Sequence, residues 1–167
     1  MKSRTKKITM AAILAVLVCI ATMIIKIPSP LKGYINLGDC VVLLSGWILP
    51  LPYGFLAAGL GSALADVFSG YIIYAPATFV IKGLMSVVAY CVFKGASLRL
   101  NKIVSRITSA VLAEIVMVSG YYIFEGFMYG FIPSAVNIVP NAVQGIAGII
   151  IGAILIQIFE KRKIGDI

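Results

Sequence analysis

GDCVVLLSGWILPLPYGFLAAGLGSALADVFSGY, residues 38–71, is two apolar runs hinged at Pro50 and Pro52, with one aspartate near the start (Asp39) and one near the end (Asp66). Neither run tolerates a soluble reading, because too few polar positions remain to face water on any helical side. A helix needs about 20 apolar residues to cross about 30 Å of hydrocarbon. Working outward, further runs predict membrane spans at 8–26, 76–94, 107–125 and 137–159, beside 37–51 and 53–69 within this region. The expected fold is an all-α membrane protein, a six-helix transmembrane bundle forming one domain over residues 1–167. The second span is anomalous. From Asp39 to Pro50 a helix covers only about 16 Å, so the preceding GYINLG stretch must also lie at membrane depth. Non-helical backbone survives there only when protein covers it or when it lines a polar cavity. Pro28, Pro30, Pro50 and Pro52 bracket the region, and the loop from Lys26 to Gly38 is a candidate extracellular lid.

Composition agrees. The chain has 167 residues, is 61% hydrophobic and 12% charged, and has a mean hydropathy of +1.07. Soluble domains average about 25% charged. The net charge of +8 does not indicate nucleic acid, because the cations cluster beside apolar runs. Lys2, Arg4, Lys6 and Lys7 precede the first span, Lys94, Arg99, Lys102 and Arg106 follow the fourth, and Lys161, Arg162 and Lys163 follow the sixth. Six spans put all of these on one side, leaving Lys26 and Lys32 opposite and Lys82 within a span. The positive-inside rule then makes both termini cytoplasmic. The basic N-terminal tail resembles a signal peptide, but 8–25 is long for one and Ala21-Thr22-Met23 is a poor cleavage site. It reads as a retained first span of a multi-pass membrane protein.

Several chemistries are excluded. The chain contains no histidine, which removes Ser-His-Asp catalysis and HExxH metal sites. Cys19, Cys40 and Cys91 have no ligand spacing and read as small buried hydrophobes. No phosphate-binding G-x-x-x-x-G-K-[ST] loop is present, so the chain does not hydrolyse ATP itself, and no cofactor or enzymatic activity is implied.

Ionisable groups within spans cost roughly 2.5–3.5 kcal/mol each on insertion scales, so they face a bundle interior or a cavity. Asp39, Asp66, Lys82 and Glu114 are such groups. Helical spacing places Thr78, Lys82 and Ser86 on one face of the fourth span, and Glu114, Tyr121 and Glu125 on one face of the fifth. Asn137, Asn141, Gln144 and Gly148 share one face of the sixth. Three such stripes converge on one cavity, toward which GYIIYAPATF adds Tyr71 and Tyr74 as stacking surfaces. The same residues also permit a plainer role: polar side chains tie spans together at about 0.6 kcal/mol per bond, Lys82 with Asp66 or Asp39 could be a structural ion pair, and Trp47 fits an interfacial belt. Ala11-x-x-x-Ala15, the Gly54/Ala58/Ser62 series and Gly148-x-x-x-Gly152 permit close helix packing.

GYINLGD (33–39), GSALADVFSGY (61–71), YAPATFVIKGL (74–84) and PNAVQGIAG (140–148) together resemble the membrane-embedded substrate-binding (S) components of energy-coupling factor (ECF) transporters, riboflavin-type branch. The resemblance implies capture of a vitamin or precursor of the riboflavin, pyridoxine or hydroxymethylpyrimidine class. It implies an outward-facing site drawn from Asp39, Asp66, Tyr71, Thr78, Lys82, Asn141 and Gln144, to which the polar faces and the aromatic loop add Tyr74, Tyr121 and Asn137 as candidate substrate-binding residues. It further implies docking through Ala11 and Ala15 onto a membrane coupling (T) subunit, with two cytoplasmic ATPases completing the importer. A rival reading is a self-contained proton-coupled transporter or channel using Glu114 and Asp66 as relay carboxylates. A membrane enzyme or assembly factor is a third reading, which a detectable turnover or the lack of any small-molecule ligand would favour.

Overall fold

The computed structural model describes residues 2–30 and 33–161, with side chains from Arg4 onward. Lys32, Arg162, Lys163 and the Lys2 side chain, counted above in the charge balance, lie outside the described residues. Helix α1 is Lys2–Ile24, and a two-stranded antiparallel hairpin follows, β1 Ile27–Pro28 against β2 Tyr34–Ile35. Then come α2 Gly38–Ile48, α3 Leu51–Phe68, α4 Ala75–Ala96 and α5 Lys102–Tyr129. A single turn α6, Phe131–Ser134, runs through a 3-10 turn into α7 Ile138–Lys161. Among the described residues five helical stretches are long and apolar enough to cross a membrane, and α2 is a shorter apolar helix. The sixth expected span therefore begins at Phe131, and the fifth is longer at both ends than 107–125.

The anomaly of α2 resolves through its position. Every residue from Gly38 to Gly46 is buried, and α2 packs against α1, α3, α4, α5 and α7. A helix apolar on all sides belongs in the middle of a bundle. Wrapped by longer helices, α2 never has to cross the hydrocarbon alone. The loop before it is the hairpin, whose backbone is partly paired internally and by a Ser29 N–H to Gly33 C=O bond of 2.9 Å. Trp47 is half-buried against the core. Its indole N–H donates to Ser109 Oγ on α5 at 2.9 Å.

Local chemistry sets the helix ends. Pro50 and Pro52 open α3, since a missing N–H costs nothing at a first turn. Asn101 caps α5 by accepting from the Val104 N–H at 2.9 Å. Gly70, at φ +83°, takes the left-handed conformation that reverses the chain after α3, and the Tyr71 N–H returns to the Asp66 C=O at 2.8 Å. That turn carries Tyr71 and Tyr74 over the end of the bundle.

Small residues decide how α1 meets α3. A Cβ on Gly61 would stand 2.8 Å from Val18 Cβ and press on the Ala15 carbonyl oxygen. Ala is normally favoured over Gly inside a helix by about 1 kcal/mol. Gly61→Ala is nevertheless expected to lower stability, because overpacking costs about 1–3 kcal/mol. Thermal unfolding in detergent checks this, and an unchanged or raised midpoint would show that α1 can yield.

Candidate functional site

The polar stripes on α4, α5 and α7 meet at the hairpin end of the bundle, and they form two layers. The lower layer is buried. Asp39 is fully buried in the first turn of α2, where the helix dipole favours an anion. Its Oδ1 is paired with Lys82 Nζ, itself 3% exposed, and its Oδ2 accepts from Gln144 Nε2 at 2.6 Å. The Gln144 Oε1 accepts the Asn36 backbone N–H at 2.8 Å. Both faces of the Gln144 amide are thus satisfied in only one orientation, since a flip would set donor against donor and acceptor against acceptor. Asn36 Oδ1 accepts the Gly38 N–H at 2.8 Å, a turn that launches α2. A path of direct bonds therefore runs from Lys82 to the base of the hairpin.

The upper layer is a narrow, open-mouthed cleft with a cavity volume of about 40 Å³. Of the residues singled out in the sequence, Asp66, Tyr71, Tyr74, Thr78, Tyr121, Asn141 and Gln144 line it. Asp39 and Lys82 do not; they form the ion pair beneath, with Lys82 Nζ 5.5 Å from the centre of the Tyr121 ring. Asn137 stands behind the wall, where its Nδ2 donates to both oxygens of Glu125 at 2.9 and 3.0 Å. The Thr78 and Tyr121 hydroxyls share a hydrogen bond of 3.0 Å. Tyr71 and Tyr74 lie with ring centres 6.4 Å apart, and Tyr34 joins them at 4.8 Å from Tyr71.

Glu125, which shares the polar face of α5 with Tyr121, also lines the cleft, and Ser29, Gly33, Tyr34 and Asn36 are new relative to the sequence reading. Tyr34 and Asn36 belong to the hairpin, and only the GYINLGD motif hinted at them. The Tyr34 hydroxyl donates to Asp66 Oδ1 at 2.7 Å. Burial first, and the Asp66 carboxylate second, hold this phenol far above its ordinary range, so it remains a donor. Lys26 Nζ donates to Ser69 Oγ at 3.0 Å on the rim. The hairpin is fastened to α3 and α7 by these bonds and roofs the cleft.

Glu114 lies apart from the cleft. It is 6% exposed and neither carboxyl oxygen has a hydrogen-bond partner among the described residues. It flanks an apolar groove between α5 and α7 that includes Val111, Val118 and Ile146. Across from it, a Cβ on Gly148 would lie 2.8 Å from Asp39 Cβ and 3.1 Å from Glu114 Oε1, so Gly148 is what lets α7 approach both acids. Among the described residues no cluster of His, Cys, Asp and Glu could hold a metal ion.

A bundle of membrane helices with a hairpin roofing a polar cleft is the architecture of a membrane-embedded binding protein. Residues 2–161 match the family described as ECF-type riboflavin transporter, S component, and the chain belongs to that family. A protein of Pyrococcus woesei, described only as an uncharacterized protein in a gap 3′ region, is 40% identical over 147 residues, covering 87% of this chain and 95% of that one. The solved S component of a bacterial ECF transporter matches with a TM-score of 0.76 over 95% of this chain and 97% of its own. At 23% identity that likeness speaks for the fold alone. The chain is thus a substrate-binding subunit of an ECF transporter, an integral plasma-membrane protein and not an enzyme. Membership implies a T component, ATPase partners and a vitamin ligand.

Proposed function

We propose that the cleft is an outward-facing vitamin site and that the hairpin is its lid, with both termini cytoplasmic and residues 1–167 forming a single domain. Captured vitamin would pass inward through ATP hydrolysis by the two partner ATPases, with α1 docking on the coupling subunit through Ala11 and Ala15. The observation that carries this reading is the convergence of the hairpin with the polar faces of α4, α5 and α7 on one cleft. Asp66, Thr78, Tyr121, Asn141 and Gln144 supply hydrogen-bonding groups for hydroxyls and ring nitrogens, and Tyr71 and Tyr74 supply the flat surfaces. Asp39, Lys82 and Asn137 act one step back, by holding Gln144 and Glu125 in place. A wrong ligand that leaves one of these groups unmatched forfeits about 1–3 kcal/mol, which is the source of selectivity.

The ligand belongs to the riboflavin, pyridoxine or hydroxymethylpyrimidine class. The compact set of polar groups favours a substituted pyridine or pyrimidine over the larger flavin. Mass spectrometry of the detergent-purified chain is expected to identify one such vitamin. Recovery of no small molecule, together with no binding of any of the three on addition, would sink the proposal.

The lid makes its own prediction. Tyr34→Phe keeps the ring but deletes the 2.7 Å bond to Asp66. A hydrogen bond to a charged acceptor is worth about 1.5–3 kcal/mol. If the bond persists with ligand bound, the vitamin should leave roughly tenfold faster or more, as stopped-flow displacement would record. An unchanged off-rate would mean that this bond does not hold the lid closed over ligand.

A further inference from the structure

We infer that Glu114 is a positioning residue for the bound vitamin: a second carboxylate seat for Lys82, whose occupation takes the lysine off Asp39 and loosens the lid. The inference rests on reading the cleft as the vitamin site. It starts from a mismatch in the buried layer below. Lys82 carries three N–H donors, yet among the described residues it donates only to Asp39 Oδ1. Glu114, 6% exposed, carries two acceptor oxygens, and among the described residues neither has a partner. A buried charge is costly unless it is paired and hydrogen-bonded. The layer therefore holds two acids and one lysine, with unused donors on the lysine and unused acceptors on the second acid.

The two acids are near neighbours. One methyl group on Gly148 would press on both, standing 2.8 Å from Asp39 Cβ and 3.1 Å from Glu114 Oε1. On the other flank a Cβ on Gly145 would lie 3.0 Å from Glu114 Oε2. The Glu114 carboxyl thus lies against two glycines of α7, which have no side chain to offer it. The titratable groups around it come from α2, α3 and α4. Cys40 on α2 commits its thiol to the Leu37 C=O at 2.9 Å, and Asp39 is itself an acceptor. Asp66 on α3 is within reach of the Lys82 charge but belongs to the upper layer, where its Oδ1 takes the Tyr34 hydroxyl. That leaves Lys82 on α4. Its charge and that of Asp39 both act on Glu114, and its four-carbon stem is flexible.

The seat that Lys82 occupies matters to the cleft above. With Lys82 on Asp39 the carboxylate is compensated, and its Oδ2 holds Gln144, which accepts the Asn36 N–H at the base of the hairpin. With Lys82 on Glu114, Asp39 loses its counter-ion and this path of bonds loses its fixed end. The vitamin then leaves more readily. Glu114 acts on the ligand without touching it, since it stands outside the cleft.

The test uses the full chain in detergent, loaded with whichever of riboflavin, pyridoxine and hydroxymethylpyrimidine it binds. Glu114→Gln keeps the shape of the side chain and removes the rival charge. Stopped-flow displacement is expected to show the vitamin leaving about tenfold more slowly, at an unchanged or raised melting midpoint. A side chain with a merely structural role would leave the off-rate alone. Melting of the ligand-free chain is the second arm. Asp39→Asn is expected to lower the midpoint by only a few degrees, because Lys82 moves to Glu114. Adding Glu114→Gln should take the midpoint roughly 6–20 °C lower still, since Lys82 is then buried with neither carboxylate. An off-rate within about threefold of the unaltered chain's would overturn the inference, as would a double variant that melts no lower than Asp39→Asn. Should none of the three vitamins bind, the vitamin-site reading fails instead, and the melting arm decides on its own whether Glu114 is a seat for Lys82.

Discussion

Lys82→Met is expected to lower stability by about 3–5 kcal/mol and to abolish tight vitamin capture. The substitution keeps most of the side-chain volume and removes only the ammonium group. What remains is Asp39, fully buried and stripped of the cation paired with its Oδ1. Deleting one partner of a buried ion pair is strongly destabilising because the surviving charge is uncompensated. Scaled as for soluble domains of 150–250 residues, such a loss lowers the melting temperature by roughly 6–20 °C. Capture should fail for a connected reason. Asp39 orients Gln144, and Gln144 accepts the Asn36 N–H at the base of the lid. An unpaired carboxylate will draw in water or a proton and pull this chain of bonds apart. The companion variant carries Asp39→Asn as well, which removes the orphan charge while leaving an amide able to bond Gln144. It should recover most of the stability, and the double-mutant cycle gives the coupling directly. A single variant that melts within a degree or two of the unaltered chain would show that Lys82 and Asp39 are not an obligate pair.

The fold was readable because membrane spans announce themselves by length and hydropathy, and α3, α4 and α5 begin or end at proline, asparagine or glycine signals visible in the chain. The shortness of α2 was also legible, and so was its remedy, a non-helical entry at membrane depth. What could not be read was that α2 lies at the centre of the bundle, since periodicity is silent for a helix buried on every side. The 3.6-residue spacing sorted Thr78, Tyr121, Asn141 and Gln144 onto the right faces. It could not separate the cleft from the layer beneath it, because depth along a helix and satisfaction by a neighbour are tertiary facts. Asp39 and Lys82 therefore looked like cleft residues although each already has its partner. Tyr34 escaped for the opposite reason. It lies in a segment without helical period, and its bond to Asp66 spans 32 residues of chain.

The second large effect concerns α1. Leu14 and Val18 are fully buried and form its inner seam, while Ala12, Ile13, Val16 and Leu17 face outward. Ala11 and Ala15 lie half-buried between these two faces. Two methyl side chains one turn apart make a low shelf beside a ridge of exposed isoleucine, valine and leucine, and small residues are what allow a second helix to approach closely in a bilayer. On the proposed docking role, Ala11→Leu combined with Ala15→Leu fills the shelf and overpacks the contact by about 1–3 kcal/mol at each position. Complex formation and vitamin uptake should then fall at least about 30-fold. Capture by the isolated subunit should survive, because Ala11 lies 13 residues, about 20 Å of helix, before Ile24 at the hairpin end. The added side chains also press toward α3, where the Ala15 carbonyl already meets Gly61, so thermal unfolding of the double variant must accompany the transport assay. Uptake in cells, co-purification with the ATPase subunits and calorimetric capture together decide between the two roles. Lost uptake with intact capture and an unchanged midpoint supports docking, whereas lost capture with intact assembly would assign Ala11 and Ala15 to packing inside the subunit alone.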